Sequence, residues 1–339
     1  MVGRENVYFL VFKQNRFILD VMNVIPQENV ITINESSIVS VFFDFIKAIF
    51  RMRKLHIDAA IDFEFFARSS AILTYLSGAK IRAGLHSFAD ESPYIGDLMT
   101  HRIAYNPHLH TSQMFETMVE AIKQPTRDLP RLNIELPALR PVKSRFTAGK
   151  QEIAEFKNLL EKEAKTNNYS PLVLINANAS DMLPIRKWPT ERYEELAKRL
   201  IEKFSALHIA FTGSPEESLK ASMIVSNVNS PRCFSMIGKT TLRQLMMLYT
   251  LADILITNDS GPAHFAALTD IKVVTLFGPE TPKLFGAIGS NSHILWKNLP
   301  CSPCVSAYNN RNSVCKDNLC MQRISVDEVF DLVCQLCKN

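Results

Sequence analysis

The stretch ITNDSGPAHFAAL, residues 256–268, runs an apolar segment into Asn258, Asp259, Ser260, Gly261 and Pro262, then a histidine and small helix-forming residues. An apolar strand that breaks at a polar cluster and restarts as a helix reads as the βα turn of an α/β sheet. Asp259 or Ser260 suits the N-cap, Pro262 an early helical position, and Gly261 a close backbone approach. A cap needs no histidine one turn in, so His264 at the same place points beyond capping. Exposed backbone N–H groups and the positive end of the helix dipole make such a turn an anion site, phosphate foremost.

The same rhythm extends outward. A helix at 148–165 leads to strand 171–177, helix 190–204, strand 206–213, helix 241–252, strand 253–258, helix 261–270 and strand 272–278. The first half alternates less regularly, with strands at 6–12, 29–33 and 57–63 and a helix around 41–50. Between them, residues 125–147 carry four prolines and no sustained periodicity, as a linker does. The expected division is an N-terminal domain over 1–140 and a C-terminal domain over 141–339, both α/β, with a ligand cleft at the carboxyl ends of their strands.

Composition narrows the function. The chain has 339 residues, 47% of them hydrophobic, and a net charge of +4. That is enough for about two domains and too little basic charge for a nucleic-acid binder. No apolar run reaches the roughly 18 residues of a membrane span, and the first segment has charges inside its apolar run and no cleavage signature, so a cytoplasmic protein is expected. Seven cysteines, an odd number, fit a reducing compartment better than a disulfide scaffold.

Two further strand ends carry polar loops. INANASDMLPIRKWPTERYEEL (175–196) holds Ser180 and, just before a helix, Lys187, a cation able to reach a diphosphate and equally able to be solvated surface. FTGSPEES (211–218) turns on Gly213, where glycine permits a ligand's close approach.

Taken in order, NANAS (176–180), RKWPTERYEELAKRL (186–200), IAFTGSPEE (209–217), IGKTTLRQLMMLYTLADILITNDSGPAHFAAL (237–268) and VVTLFGPETP (273–282) resemble glycosyltransferase family 9, the heptosyltransferases. IDAAIDFEFFARSSAILTYLSGAKIRAGLHS (57–87) extends the resemblance more loosely. The resemblance implies a GT-B fold, two Rossmann-like domains facing across a cleft, with the nucleotide-sugar donor on the C-terminal one. It implies an inverting, metal-independent transfer without a cofactor, moving a sugar, heptose foremost, from an ADP-sugar to a lipopolysaccharide core or related glycan acceptor. Asp259, Ser260, Gly261 and His264 match the donor-binding turn, Lys187 a phosphate lysine, and Ser180 and Gly213 donor-side loops. Transfer from another nucleotide sugar, and an inactive nucleotide-sugar-binding homologue, stay open beside this reading.

The resemblance fails at the start. Family members open with a strand, a glycine–aspartate loop and a helix ahead of what reads here as the second strand, and that aspartate is the usual candidate for the base; the sequence is expected to start too late to contain it, through a start placed downstream or a lost base, and the Gly-Asp of YIGDL (94–98) comes well after the expected place. The catalytic base is therefore unassigned. Asp62, Glu64 and Arg68 lie at a strand end where they suit an acceptor, or a strand-end cap with a local ion pair. His101, His108 and His110 read as loop histidines of the same side rather than a metal site.

Cys301, Cys304, Cys315 and Cys320 are spaced C-x2-C, x10, C-x4-C, which fits zinc loosely and free thiols or a local disulfide as well. In the helix VFFDFIKAIFRMRK (41–54), Phe42, Phe45, Ile46 and Ile49 suit a core face. Phe43 and Phe50, beside Arg51, Arg53 and Lys54, suit peripheral contact with the anionic inner leaflet of the inner membrane, where a lipid-borne acceptor is found.

Overall fold

A computed structural model of the chain describes residues 2–338 apart from 127–128, 142–144 and 180–182, and residues 220–221 as backbone only. The chain divides into two compact units, Met1–Leu139 and Arg140–Asn339.

The C-terminal unit is built on one six-stranded sheet. The N-terminal unit contributes β1 (Phe9–Phe12), β2 (Val30–Ile33), β3 (Ala59–Ile61), β4 (Ile81–Leu85) and β5 (His101–Ile103). The C-terminal unit contributes β6 (Leu172–Asn176), β7 (His208–Phe211), β8 (Cys233–Ser235), β9 (Ile254–Asn258), β10 (Lys272–Phe277) and β11 (Ser292–Trp296). Every pairing is parallel. The large sheet is ordered β8-β7-β6-β9-β10-β11. Counting from β6, this is the 3-2-1-4-5-6 order of a doubly wound nucleotide-binding sheet.

Strands buried on both faces account for the unbroken apolar runs: every residue of β6, β7 and β9 is buried. The covering helices are amphipathic instead. Helix Thr190–Lys203 buries Tyr193, Leu196, Ala197, Leu200 and Ile201, the i, i+3, i+4, i+7, i+8 stripe of a helix lying on a sheet. Helix Val326–Lys338 closes the same core with Val326, Val329, Val333 and Leu336, and Cys334 and Cys337 pack partly buried at its edge.

The N-terminal strands form two sheets, β1-β2 and β3-β4-β5, with no ladder joining them among the described residues. Its long helix, Ile38–Lys54, is capped by Ser37, whose hydroxyl accepts the Ser40 N–H at 3.0 Å. That helix corrects one expectation. Its packed face is Val41, Phe45, Ala48 and Met52 against Ile31 and Ile33, and Phe42 is 61% exposed rather than buried. No helix among the described residues is long and apolar enough to cross a membrane.

Candidate functional site

The chain leaves β6 toward β7 on one side and β9 toward β10 on the other, so neighbouring β6 and β9 bracket the point where the strand order reverses. Open α/β sheets bind ligands outside the carboxyl ends of the strands at that point. Those ends are Asn176 and Asn258.

Asn258 organises both loops. Its fully buried amide donates from Nδ2 to the carbonyls of Ala177 and Asn178, each at 3.2 Å. Its Oδ1 accepts the Trp188 N–H at 3.0 Å and the Tyr193 O–H at 2.9 Å. All four capacities of the side chain are therefore spent on holding the loop after β6 and the turn before helix Thr190–Lys203 over the end of β9. Trp188 is buried, stacks edge-on against Tyr193 at 4.8 Å, and donates from Nε1 to the Ile324 carbonyl at 2.9 Å. It is a packing residue.

Against this frame the structure sets a charged cluster. Asp259, 5% exposed, follows β9, and Glu280, 4% exposed, follows β10. Both carboxyls flank the same guanidinium, that of Arg186. One guanidinium nitrogen of Arg186 stands 3.9 Å from Asp259 Oδ2 and 3.9 Å from Glu280 Oε2, and Arg311 Nε stands 3.9 Å from Glu280 Oε1. These are charge contacts too long for hydrogen bonds. Arg186 Nε, Asp259 Oδ2 and Glu280 Oε1 are buried with no hydrogen-bond partner among the described residues. Burial, then the neighbouring Glu280, push the Asp259 carboxyl up to about 8, against the opposing pull of Arg186 and Arg311. Buried polar atoms left unpaired are costly and call for an explanation, a ligand among them.

Other predicted residues fall into place around this cluster. Ser260 occupies the N-cap of helix Gly261–Ala266, yet its hydroxyl turns back to the Asn258 carbonyl at 3.1 Å instead of capping. Nothing local demands glycine at 261, where a Cβ would meet only the Phe265 ring at 3.4 Å. His264 is exposed one turn on. At Gly213 a Cβ would come within 2.4 Å of the Glu217 carboxylate, which accepts the Ser214 N–H and would have to shift. Lys187 is half-buried directly after the turn Pro184–Arg186, and its carbonyl accepts from Asn318. Ser180 lies outside the described residues.

Two residues of the cluster escaped the sequence reading. Arg186 was one position from the lysine singled out, and only the course of the Pro184–Arg186 turn decides which cation meets Asp259. Glu280 sits in GPETP, a string that reads as a turn; its carboxylate reaches Asp259 only because β10 pairs with β9.

In the N-terminal unit, Asp62 is buried and accepts from Ser70 at 2.9 Å and from the Glu64 N–H at 3.1 Å, which is the strand-end cap. Burial pushes its carboxyl up to about 6. Glu64 and Arg68 are exposed, and no ion pair among the described residues joins Arg68 to Asp62 or Glu64. His101 bonds Thr100 and the Gln124 carbonyl, and His110 caps helix Thr111–Ala121. A further group, His86, buried after β4, lies 3.7 Å from Asp97, which also accepts from Tyr94 at 3.0 Å.

All seven cysteines are free thiols. Among the described residues no three His, Cys, Asp or Glu side chains are grouped to hold a metal. The segment of Cys301, Cys304, Cys315 and Cys320 braces the site: Cys304 and Val305 donate backbone N–H groups to the Pro279 carbonyl, next to Glu280.

The profile of glycosyltransferase family 9 (heptosyltransferase) matches residues 46–314. Lipopolysaccharide heptosyltransferase 2 of Salmonella typhimurium is 30% identical over 115 residues, 33% of this chain and 32% of that protein, so the matched stretch spans about a third of the relative. The structure of Escherichia coli ADP-heptose lipopolysaccharide heptosyltransferase II superimposes with a TM-score of 0.68 at 18% identity, covering 97% of this chain and 88% of the other. A family 9 glycosyltransferase from Veillonella parvula gives 0.70 at 17%, with the same coverage. At these identities the structural likeness is one of fold, the GT-B type built from two Rossmann-like units. The profile, spanning most of the chain and both strand ends of the switch point, settles the family: the chain belongs to glycosyltransferase family 9, the heptosyltransferase family.

Proposed function

We propose that this chain is a glycosyltransferase that binds a nucleotide-sugar donor at the β6/β9 switch point and transfers the sugar, heptose foremost, from an ADP-sugar to a lipopolysaccharide core or related glycan acceptor. The observation that carries the reading is the cluster of half-buried Arg186 with buried Asp259 and Glu280, with unpaired polar atoms, at the strand ends where doubly wound sheets bind nucleotides. The transfer is inverting: an acceptor hydroxyl attacks the anomeric carbon, the nucleoside diphosphate leaves, and the hydroxyl proton passes to a base. The leaving diphosphate gains negative charge, which the side chains of Arg186 and Lys187 stabilise as fixed cations without a metal. Asp259, Ser260, Gly261, His264, Ser180 and Gly213 complete the donor side in this reading.

Titration calorimetry with ADP and ADP-heptose in metal-free buffer tests it. Saturable binding of both is expected; binding of a UDP- or GDP-sugar in their place would move the donor to the other nucleotide class, and absence of all binding would remove the donor site.

A peripheral contact with the inner membrane is part of the proposal. Ile38, Val39, Phe42 and Phe43 stand 55–89% exposed on one helix, too large an apolar group to leave in water without use. Sedimentation with anionic vesicles, lost in the Phe42→Ser/Phe43→Ser double variant, is the expected result, and equal sedimentation of both proteins would dismiss the contact.

A further inference from the structure

The Asp259–Glu280 pair carries more than charge balance. Two carboxyls that lie side by side with little solvent do not both ionise near neutral pH unless cations compensate them. The compensating groups facing the pair are Arg186, from the turn before Trp188, and Arg311, from the segment after β11, and each stands 3.9 Å off without a direct hydrogen bond. Arg186 is thus positioned by the pair and not locked by it: its Nε has no partner among the described residues, and neither have Asp259 Oδ2 and Glu280 Oε1.

We propose that Glu280 is a positioning residue of the donor site, which shares a proton with Asp259 and holds Arg186 ready, so that a diphosphate capturing Arg186 draws additional proton onto the carboxyl pair. The inference rests on the donor-site reading given above. Its chemistry is a balance of charge: when phosphate oxygens neutralise the guanidinium, the pair loses its nearest cation, the cost of its negative charge rises, and a proton is taken from solvent. No covalent bond changes. The Asp259 carboxyl, already raised to about 8 by burial and by Glu280, is in the range where such a change is measurable.

The sign follows from linkage. Proton uptake on binding means that affinity falls as pH rises through the range where the free pair ionises. ADP binding to the wild-type chain is therefore expected to weaken roughly three- to tenfold between about pH 7.5 and 9, and the binding heat is expected to depend on the protonation enthalpy of the buffer. In Glu280→Gln the carboxyl neighbour that raises Asp259 is gone, so Asp259 ionises at lower pH. Burial of Asp259 remains, so the slope and the buffer dependence should then move to lower pH and shrink between about pH 7.5 and 9 while ADP still binds. ADP's own titration lies below this range and is common to both proteins.

Asp259→Asn breaks the pair from the other side and must also remove the slope, which keeps the test open if one variant fails to fold. A residue that only supported the loop would alter affinity at every pH alike. ADP binding with the same pH slope and proton count in wild type and either variant would overturn the proposal while leaving the donor site standing. Failure of the wild-type chain to bind ADP at any pH would overturn the donor-site reading and this proposal with it.

Discussion

Replacing Asn258 by alanine is expected to destabilise the C-terminal unit by about 4 kcal/mol. The fully buried amide satisfies two donors, the Trp188 N–H and the Tyr193 hydroxyl, and two acceptors, the carbonyls of Ala177 and Asn178. Each bond is worth roughly 1 kcal/mol net, and each buried group left unpaired adds a penalty of about 1–3 kcal/mol, reduced where water enters the space left by the side chain. Tyr193 and the Trp188 backbone are too deeply buried for that relief to be complete. Chemical denaturation of the two proteins measures the difference. A change below about 1 kcal/mol would mean that the loops hold their places without the asparagine, and the account of how the switch point is framed would fail.

The second large effect concerns the cation. Arg186→Ala is expected to lower kcat/KM for donor by about 2–4 kcal/mol, a factor of roughly 30 to 1,000, because a guanidinium in a water-poor site acts on the charge that develops as the diphosphate leaves. Lys187→Ala, tested alongside, shows how the work divides between neighbours. A larger loss at Lys187 would assign the diphosphate to the lysine that the sequence singled out, and would leave Arg186 as a counter-ion to the buried carboxyls. A fall in kcat/KM with unchanged KM would place the interaction in the transition state; a rise in KM alone would place it in ground-state binding.

The comparison of these two residues shows where reading the sequence stops. The strands were legible because β6, β7, β9 and β10 are buried on both faces and so appear as continuous apolar runs between polar loops. β8, three residues long, and the edge strand β11, with no residue fully buried, lack that signature and were passed over. The loop after β9 was legible because Asp, Ser, Gly, Pro and His crowd into one strand-to-helix turn. Its partner Glu280 was not, because what makes it functional is the pairing of β10 with β9, a contact between residues 21 positions apart that no local pattern encodes. Arg186 and Lys187 differ by one step around a short turn, and composition cannot say which side chain turns inward. The same limit misplaced Phe42. The helix Ile38–Lys54 has apolar residues around more than half its circumference, so two stripes at helical spacing compete, and the one through Val41, Phe45, Ala48 and Met52 is the one that meets the sheet.

Whether this family 9 chain transfers a sugar from a nucleotide donor is decided by incubating it with ADP-heptose and a heptose-deficient lipopolysaccharide core, following ADP release and the mass of the glycan. Stoichiometric ADP release with one heptose added to the acceptor is expected, both slowed roughly 30- to 1,000-fold in Arg186→Ala. ADP-heptose bound tightly with no ADP released and no change in acceptor mass would contradict the transfer and make the chain a nucleotide-sugar-binding protein.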